Sequence, residues 1–204
     1  MSDDIKTESM NQLLMVIELG TFNTQKAIGR GVCDLPSGTG NEILTGQTSS
    51  LGNSTGMASG TNGQVSVTYR GYENPWGNMF KAVNGMNIYG NGSQKGGMPY
   101  ICTDFNYQEN VNSENYANAG FTVSSAIGYI SAFGYSPRCD WIFIPSECLG
   151  NSSLPVGDYA AVGSNLNGFR AALVGGSWHY GFYAGRGRSS YSRRCEPTEV
   201  KIER

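Results

Sequence analysis

The sequence predicts an α+β fold built from short strands, one or two helices and long irregular loops. Three observations predict it. Helical periodicity marks Ile5 to Ile28 and recurs only in short later stretches, and short alternating or apolar runs begin at Gln64. Glycine, serine, threonine and asparagine fill much of the remainder, which breaks regular elements and leaves little to bury.

The elements follow in order. Ile5 to Leu19 carries Ile5, Met10, Leu13, Leu14 and Ile17, with Gly20 as a stop, and predicts a short amphipathic helix. Thr21 to Ile28 adds a second helical turn with Asn23 as its cap. Gly29 to Gly63 has few apolar anchors and is expected as extended loop, or as hairpin arms lying on a neighbour. Val65, Val67 and Tyr69 alternate with polar residues, the signature of a half-buried strand. Asn74 before Pro75 predicts a helix start; Trp76, Phe80 and Val83 share one face, and Gly85 ends it. Met86–Tyr89 and Pro99–Thr103 are predicted strands, with a turn over Asn91–Gly97 between them. A polar excursion then runs from Asn106 to Asn118. Phe121–Phe133 is expected to turn helix-like over its last five residues. Trp141–Ile144, the most apolar run, is a predicted core strand bounded by Pro145. Phe169–Val174 is a strand ending at Gly175-Gly176, and Val200–Ile202 is a final edge strand. The texture divides the chain at residue 63. Residues 1–63 form a helix and a Gly/Ser/Asn-rich arm suited to attachment or oligomer contacts, and 64–204 form the main domain.

Charge narrows the function. The chain has 204 residues, of which 15% are charged, and a net charge of −2, so it carries no electrostatic footprint for nucleic acid. No apolar run approaches the ~20 residues that cross a bilayer, and the acidic start Met1-Ser2-Asp3-Asp4 is unlike a basic signal peptide. The expectation is a protein made in a cytoplasm that leaves it, if at all, by cell lysis. The five cysteines, Cys33, Cys102, Cys139, Cys148 and Cys195, lack the close spacing of zinc or redox sites and are expected as reduced, buried residues.

Chemistry is equally sparse. His179, the single histidine, has no acid partner nearby in sequence, and Gly175-Gly176-Ser177-Trp178 is not a nucleophile elbow. The acids Asp104, Glu109, Glu114, Asp140, Glu147 and Asp158 are scattered. No acid–Pro–Asn triplet of the sugar-binding calcium kind occurs, since Glu73-Asn74-Pro75 has another order. Neither catalysis, a metal nor a cofactor is expected.

The informative stretch is Trp178 to Tyr191. Trp178, His179, Tyr180, Phe182, Tyr183, Arg186, Arg188, Ser190 and Tyr191 are the candidate ligand contacts. Aromatics with arginine, serine and glycine are the residue types of antibody combining loops: rings give rigid contact area, and small polar groups adapt the hydrogen bonding. Trp178 alone is also read as a core residue.

Several blocks carry a family resemblance. Tyr69-Arg70-Gly71-Tyr72-Glu73-Asn74-Pro75-Trp76-Gly77-Asn78 resembles the "YRGIENPWGN" block of phage tail, fibre and other virion surface proteins of gut bacteria. Val83 to Ile88 resembles the "VDGINI" that follows it. Glu18–Gln25, Tyr100–Asp104, Gly128–Ile130, Ile144–Glu147 and Leu173–Trp178 fall in the family's order. The resemblance implies a C-type-lectin-like domain over 64–204, related to the formylglycine-generating-enzyme fold but without that enzyme's cysteine pair. It also implies that the segment after Gly175-Gly176 faces a receptor, and that in some relatives this surface is diversified by retroelements. The tail from Ser192 to Arg204 departs from the family's closing strand.

The expected function is therefore host attachment by a virion surface protein, through a host-surface glycan or protein. Other virion proteins are expected as partners, and a homotrimer is expected by analogy with phage fibres. The rivals are a structural capsid decoration or head-fibre protein, and a hydrolase of envelope glycans, for which no carboxylate pair is nominated.

Overall fold

The computed structural model describes residues 3–38, 40–91, 96–108, 114–160, 167–181 and 189–190. Among the described residues two α-helices, α1 (Ile5–Leu19) and α2 (Thr24–Ala27), accompany thirteen strands. These are β1 (Asp3–Asp4), β2 (Gly56–Met57), β3 (Val67–Tyr69), β4 (Tyr72–Glu73), β5 (Lys81–Asn91), β6 (Met98–Cys102) and β7 (Tyr116–Asn118). They continue as β8 (Gly128–Tyr129), β9 (Ala132–Phe133), β10 (Pro145–Glu147), β11 (Tyr159–Ala160), β12 (Asn167–Val174) and β13 (Ser189–Ser190). The fold is mixed α+β and mostly sheet.

The principal sheet runs β13-β12-β5-β6-β7, all antiparallel neighbours, with β1 lying parallel on β5. The β5–β12 register jumps from Asn87↔Ala171 to Val83↔Ala172. Residues 84–86 thus bulge out of the ladder beside Asp4↔Asn84 of the β1 pairing. Gly85 sits in that bulge with φ 78°, where a side chain would collide with the Tyr107 ring. Ile88, Ile101, Ala172 and Val174 of this sheet form the main core with Ile5, Ile142 and Ile144. A second cluster joins Met15 of α1 to Val67, Tyr69 and Trp76. Met15 thus packs directly against residues beyond position 63, and Val32 and Cys33, within the glycine-rich stretch, are fully buried.

α1 has the bounds its apolar pattern and Gly20 predict, and the structure adds a cap at its start. The Asp4 carboxylate accepts hydrogen bonds from the Lys6 and Thr7 amides, and Gly20 closes the helix at φ 64°. Burial opposes the Asp4 charge, but these hydrogen bonds outweigh it and hold the carboxyl below its usual pKa. The face is the surprise. Of the five apolar positions only Ile5 is buried, whereas Met10, Leu13, Leu14 and Ile17 are exposed. The helix turns Glu8 and Ser9 inward instead. Glu8 accepts a hydrogen bond from the Tyr72 hydroxyl at 3.0 Å and has the Lys81 ammonium 3.9 Å away.

The strand predicted as half-buried is β3, buried at Val67, Thr68 and Tyr69 alike, and three further predicted elements differ. The helix expected from Asn74 to Gly85 is a buried irregular segment followed by β5, because Asn74, Gly77 and Asn78 have φ of 51°, 76° and 60°. Those left-handed residues cannot propagate a right-handed helix. The helix-like reading of Tyr129–Phe133 gives way to β8 and β9, which pair with β11 and β10. Trp141–Ile144 contributes Ile142 and Ile144 to the core without forming a strand; β10 starts at Pro145. Residues 92–95, within the expected turn, and Val200–Ile202 lie outside the described residues.

Candidate functional site

The site begins where β12 stops. Gly175 and Gly176 have φ of 88° and 75°, two successive left-handed residues that cost a side-chain-bearing residue strain. They turn the chain off the sheet end into Ser177-Trp178-His179-Tyr180-Gly181. Gly77 donates to the Gly175 carbonyl at 2.7 Å, and Trp178 donates to the Asn78 carbonyl at 3.0 Å. Leu35 donates to the Trp178 carbonyl at 2.8 Å, and Gly181 donates to the Cys33 carbonyl at 2.7 Å. The Gln25 side chain adds a bond to the Gly181 carbonyl. The segment is thus tied on one side to residues 33–35 and on the other to 77–78.

Side chains pack along it in sequence. The Trp178 and His179 rings lie 5.4 Å apart, His179 stacks on Tyr180 at 4.7 Å, and Tyr180 meets Phe80 edge-on at 5.5 Å. Ser177 is buried, Trp178 and Tyr180 are half-buried, and His179 is exposed. The indole N–H of Trp178 has no hydrogen-bond partner among the described residues. Phe182, Tyr183, Arg186, Arg188 and Tyr191 lie outside the described residues. Of Ser190 only the backbone is described, paired opposite Leu173 as β13 joins β12.

The Tyr69–Asn78 block is the clamp beneath this segment. Arg70 and Gly71, both at positive φ (50° and 83°), form the two-residue turn of the β3–β4 hairpin, in which Tyr69 faces Tyr72. Tyr69 and Arg70 both donate to the Glu18 carboxylate, and these bonds hold Glu18 below the ordinary carboxylate range. Glu73 accepts from the Gly46 amide at 2.9 Å, the Thr48 amide at 3.1 Å and the Thr48 hydroxyl at 2.6 Å. Burial pushes its pKa up, and the bonds from Thr48 and Gly46 more than offset that, leaving it lowered. Pro75 accepts from Lys81, and Trp76, fully buried, donates its indole N–H to the carbonyls of Gly29 and Arg30. The Asn78 side chain receives the Ile43 amide at 2.9 Å and donates to the Ile43 carbonyl at 2.8 Å. Glu73, Trp76 and Asn78 therefore each immobilise a piece of the glycine-rich stretch that no local pattern would order, while Tyr69, Arg70 and Tyr72 hold α1.

Cys33, behind Gly181, is buried, and burial followed by the neighbouring Asp34 charge pushes its thiol up to about 12. A thiol held protonated is a poor nucleophile. Arg30 and Asp34 pair at 2.7 Å beside it. Cys33, Cys102, Cys139 and Cys148 are all buried and unbonded, and Cys195 lies outside the described residues. Among the described residues no group of three His, Cys, Asp or Glu side chains is placed to hold a metal, and no helix is long and apolar enough to cross a membrane. Two grooves lie away from the segment, one of 630 Å³ bounded by Lys6, Cys102, Cys139 and Trp141, and one of 280 Å³ bounded by Ser124 and Cys148.

Sequence reasoning missed the anchors Val32, Cys33, Leu35 and Ile43. Their only local signal is that they are sparse apolar residues within a glycine-rich run. Comparison with protein families, with characterised proteins and with solved structures finds no match to this chain.

Proposed function

We propose that this chain is a non-enzymatic binding protein of the phage virion surface, with a C-type-lectin-like domain that grips a host-surface glycan or protein. The observation that carries this reading is the aromatic segment Trp178-His179-Tyr180. It leaves the sheet on a double glycine, is anchored by its backbone on both sides, and presents His179 to solvent. Rings held by an ordered backbone lose little entropy on binding, which is what a recognition surface requires. The residues after it, Tyr183, Arg186, Arg188 and Tyr191, have the types that dominate binding hot spots. Attachment to a virion through residues 1–63 and assembly with other virion proteins belong to the same reading.

The test is binding of the purified chain to a glycan array and to a panel of gut bacterial cells. The variants are Tyr180→Ala, Tyr183→Ala and Arg186→Ala. Loss of roughly tenfold or more in at least one variant, at unchanged thermal stability, is expected. Undiminished binding in all three places the contact elsewhere. Binding to phage capsids but to no cell or glycan replaces host attachment with capsid decoration.

A further inference from the structure

The outward face of α1 is the largest feature that the reading above leaves unused. Met10, Leu13, Leu14 and Ile17 are 54%, 40%, 36% and 69% exposed. Their spacing is that of a helical seam, yet the seam faces away from the core. Between Lys6 and Glu18 this face carries no charged residue, because Glu8 is turned inward. Phe105, 63% exposed, sits 3.6 Å from the Lys6 ammonium and extends the patch. The four helical side chains alone present on the order of 350 Å² of apolar surface, a patch of the size that marks contact sites. That is nearly half of the ~800 Å² one partner contributes to a standard interface.

We infer that two copies of this chain associate through α1, with the helices antiparallel, in place of the trimer expected by analogy with phage fibres. The argument is self-complementarity. Lys6, Met10, Leu14 and Glu18 follow one another at i, i+4 steps, so the row starts with a cation and ends with an anion. Running a second copy antiparallel lays Met10 against its Leu14 and brings Lys6 beside its Glu18 at both ends. That is an isologous contact in which residue i meets j and j meets i. A parallel pair would set ammonium beside ammonium and carboxylate beside carboxylate. Both end groups are already positioned: Lys6 donates to the Thr103 carbonyl, and Glu18 is held by Tyr69 and Arg70. An ammonium with three donors and a carboxylate with about four acceptor sites retain capacity for a partner after those bonds. Leu13 and Ile17 flank the row and close it from water.

Light scattering and sedimentation of the full chain from about 1 to 100 µM test this, alongside Leu14→Lys and Ile17→Glu. The expected result is a two-chain mass for the natural sequence and a dissociation constant raised at least ~tenfold in both variants. Both substitutions lie on the exposed face, so at concentrations low enough for the natural sequence to be a single chain, thermal unfolding should be the same for all three, and only the natural sequence should gain Tm with concentration. For the direction of packing, Met10→Cys chains mixed with Leu14→Cys chains, each also carrying Cys195→Ser, should cross-link on mild oxidation, and neither should do so alone. A one-chain mass throughout, a three-chain mass, indifference to Leu14→Lys, or cross-linking of Met10→Cys with itself each overturns the inference. A two-chain mass that appears only after removal of residues 191–204 does so too, since the chain's own tail would then occupy the seam.

Discussion

Gly77→Ala is the sharpest perturbation of the clamp. Gly77 has φ 76°, and a Cβ there would stand 2.5 Å from the carbonyl oxygen and 2.9 Å from the amide nitrogen of Val32. Both are backbone atoms of a residue with no exposed surface, so neither yields the way a side-chain tip does. The left-handed conformation costs an alanine about 1–2 kcal/mol. To restore ordinary contact, the chain at Val32 and the chain at Gly77 must part. That puts at risk the Asn78 amide bond to the Val32 carbonyl (2.6 Å) and the Gly77 amide bond to Gly175 (2.7 Å). Each is worth about 1 kcal/mol. The expected loss is therefore about 3–4 kcal/mol, or a fall in Tm of about 10 °C for a chain of this length. Urea unfolding followed by tryptophan fluorescence measures it. Gly20→Ala is the control: it has φ 64° and nothing within 4 Å of the added Cβ, so it carries the conformational cost alone, about 1–2 kcal/mol. Equal losses in the two variants would refute the contact reasoning and leave only glycine's conformational freedom.

Two further outcomes follow from the electrostatics. Glu73→Gln should lower stability at pH 7 by about 1 kcal/mol, the value of a charge-assisted contact discounted for its partial exposure. Because the folded-state pKa of Glu73 is lowered, its contribution is complete above the unfolded value of ~4.3 and is lost as pH falls through the folded value. Natural and variant chains should therefore converge in Tm as pH falls below the folded-state pKa of Glu73; a gap that persists in acid would assign the effect to shape. Cys33, with its thiol pushed up to about 12, should resist alkylation at pH ~8 in the folded chain and react once unfolded, as peptide mapping by mass spectrometry will show. Labelling of native Cys33 at the rate of a free thiol would contradict its burial.

The sequence was readable where the physics is local. Gly20 ends α1 where the sequence puts its stop because a left-handed stop acts within one turn. Asn23 caps α2 for the same reason, accepting the Lys26 amide. Reading failed where a distant partner decides. Trp76, Phe80 and Val83 have helical spacing, but Trp76 is drawn to the carbonyls of Gly29 and Arg30, and Val83 is claimed by β1 and β12. The α1 seam was legible as a stripe but not in its orientation, because the group that turns Glu8 inward, Tyr72, lies 64 residues away. At the site, the Gly175-Gly176 turn and the ring types of 178–180 were plain. Their anchorage was not, since it depends on carbonyls and amides of residues 33–35, whose side chains do not advertise it.

That anchorage has an evolutionary corollary. The bonds that fix Trp178 to Asn78 and Leu35, and Gly181 to Cys33, run between main-chain atoms. Every residue type except proline supplies the same amide and carbonyl, so replacing side chains at 178, 179 and 180 leaves these tethers in place. The protein can rewrite what it presents at this edge while keeping how it presents it, which makes these positions natural ones to randomise in a library.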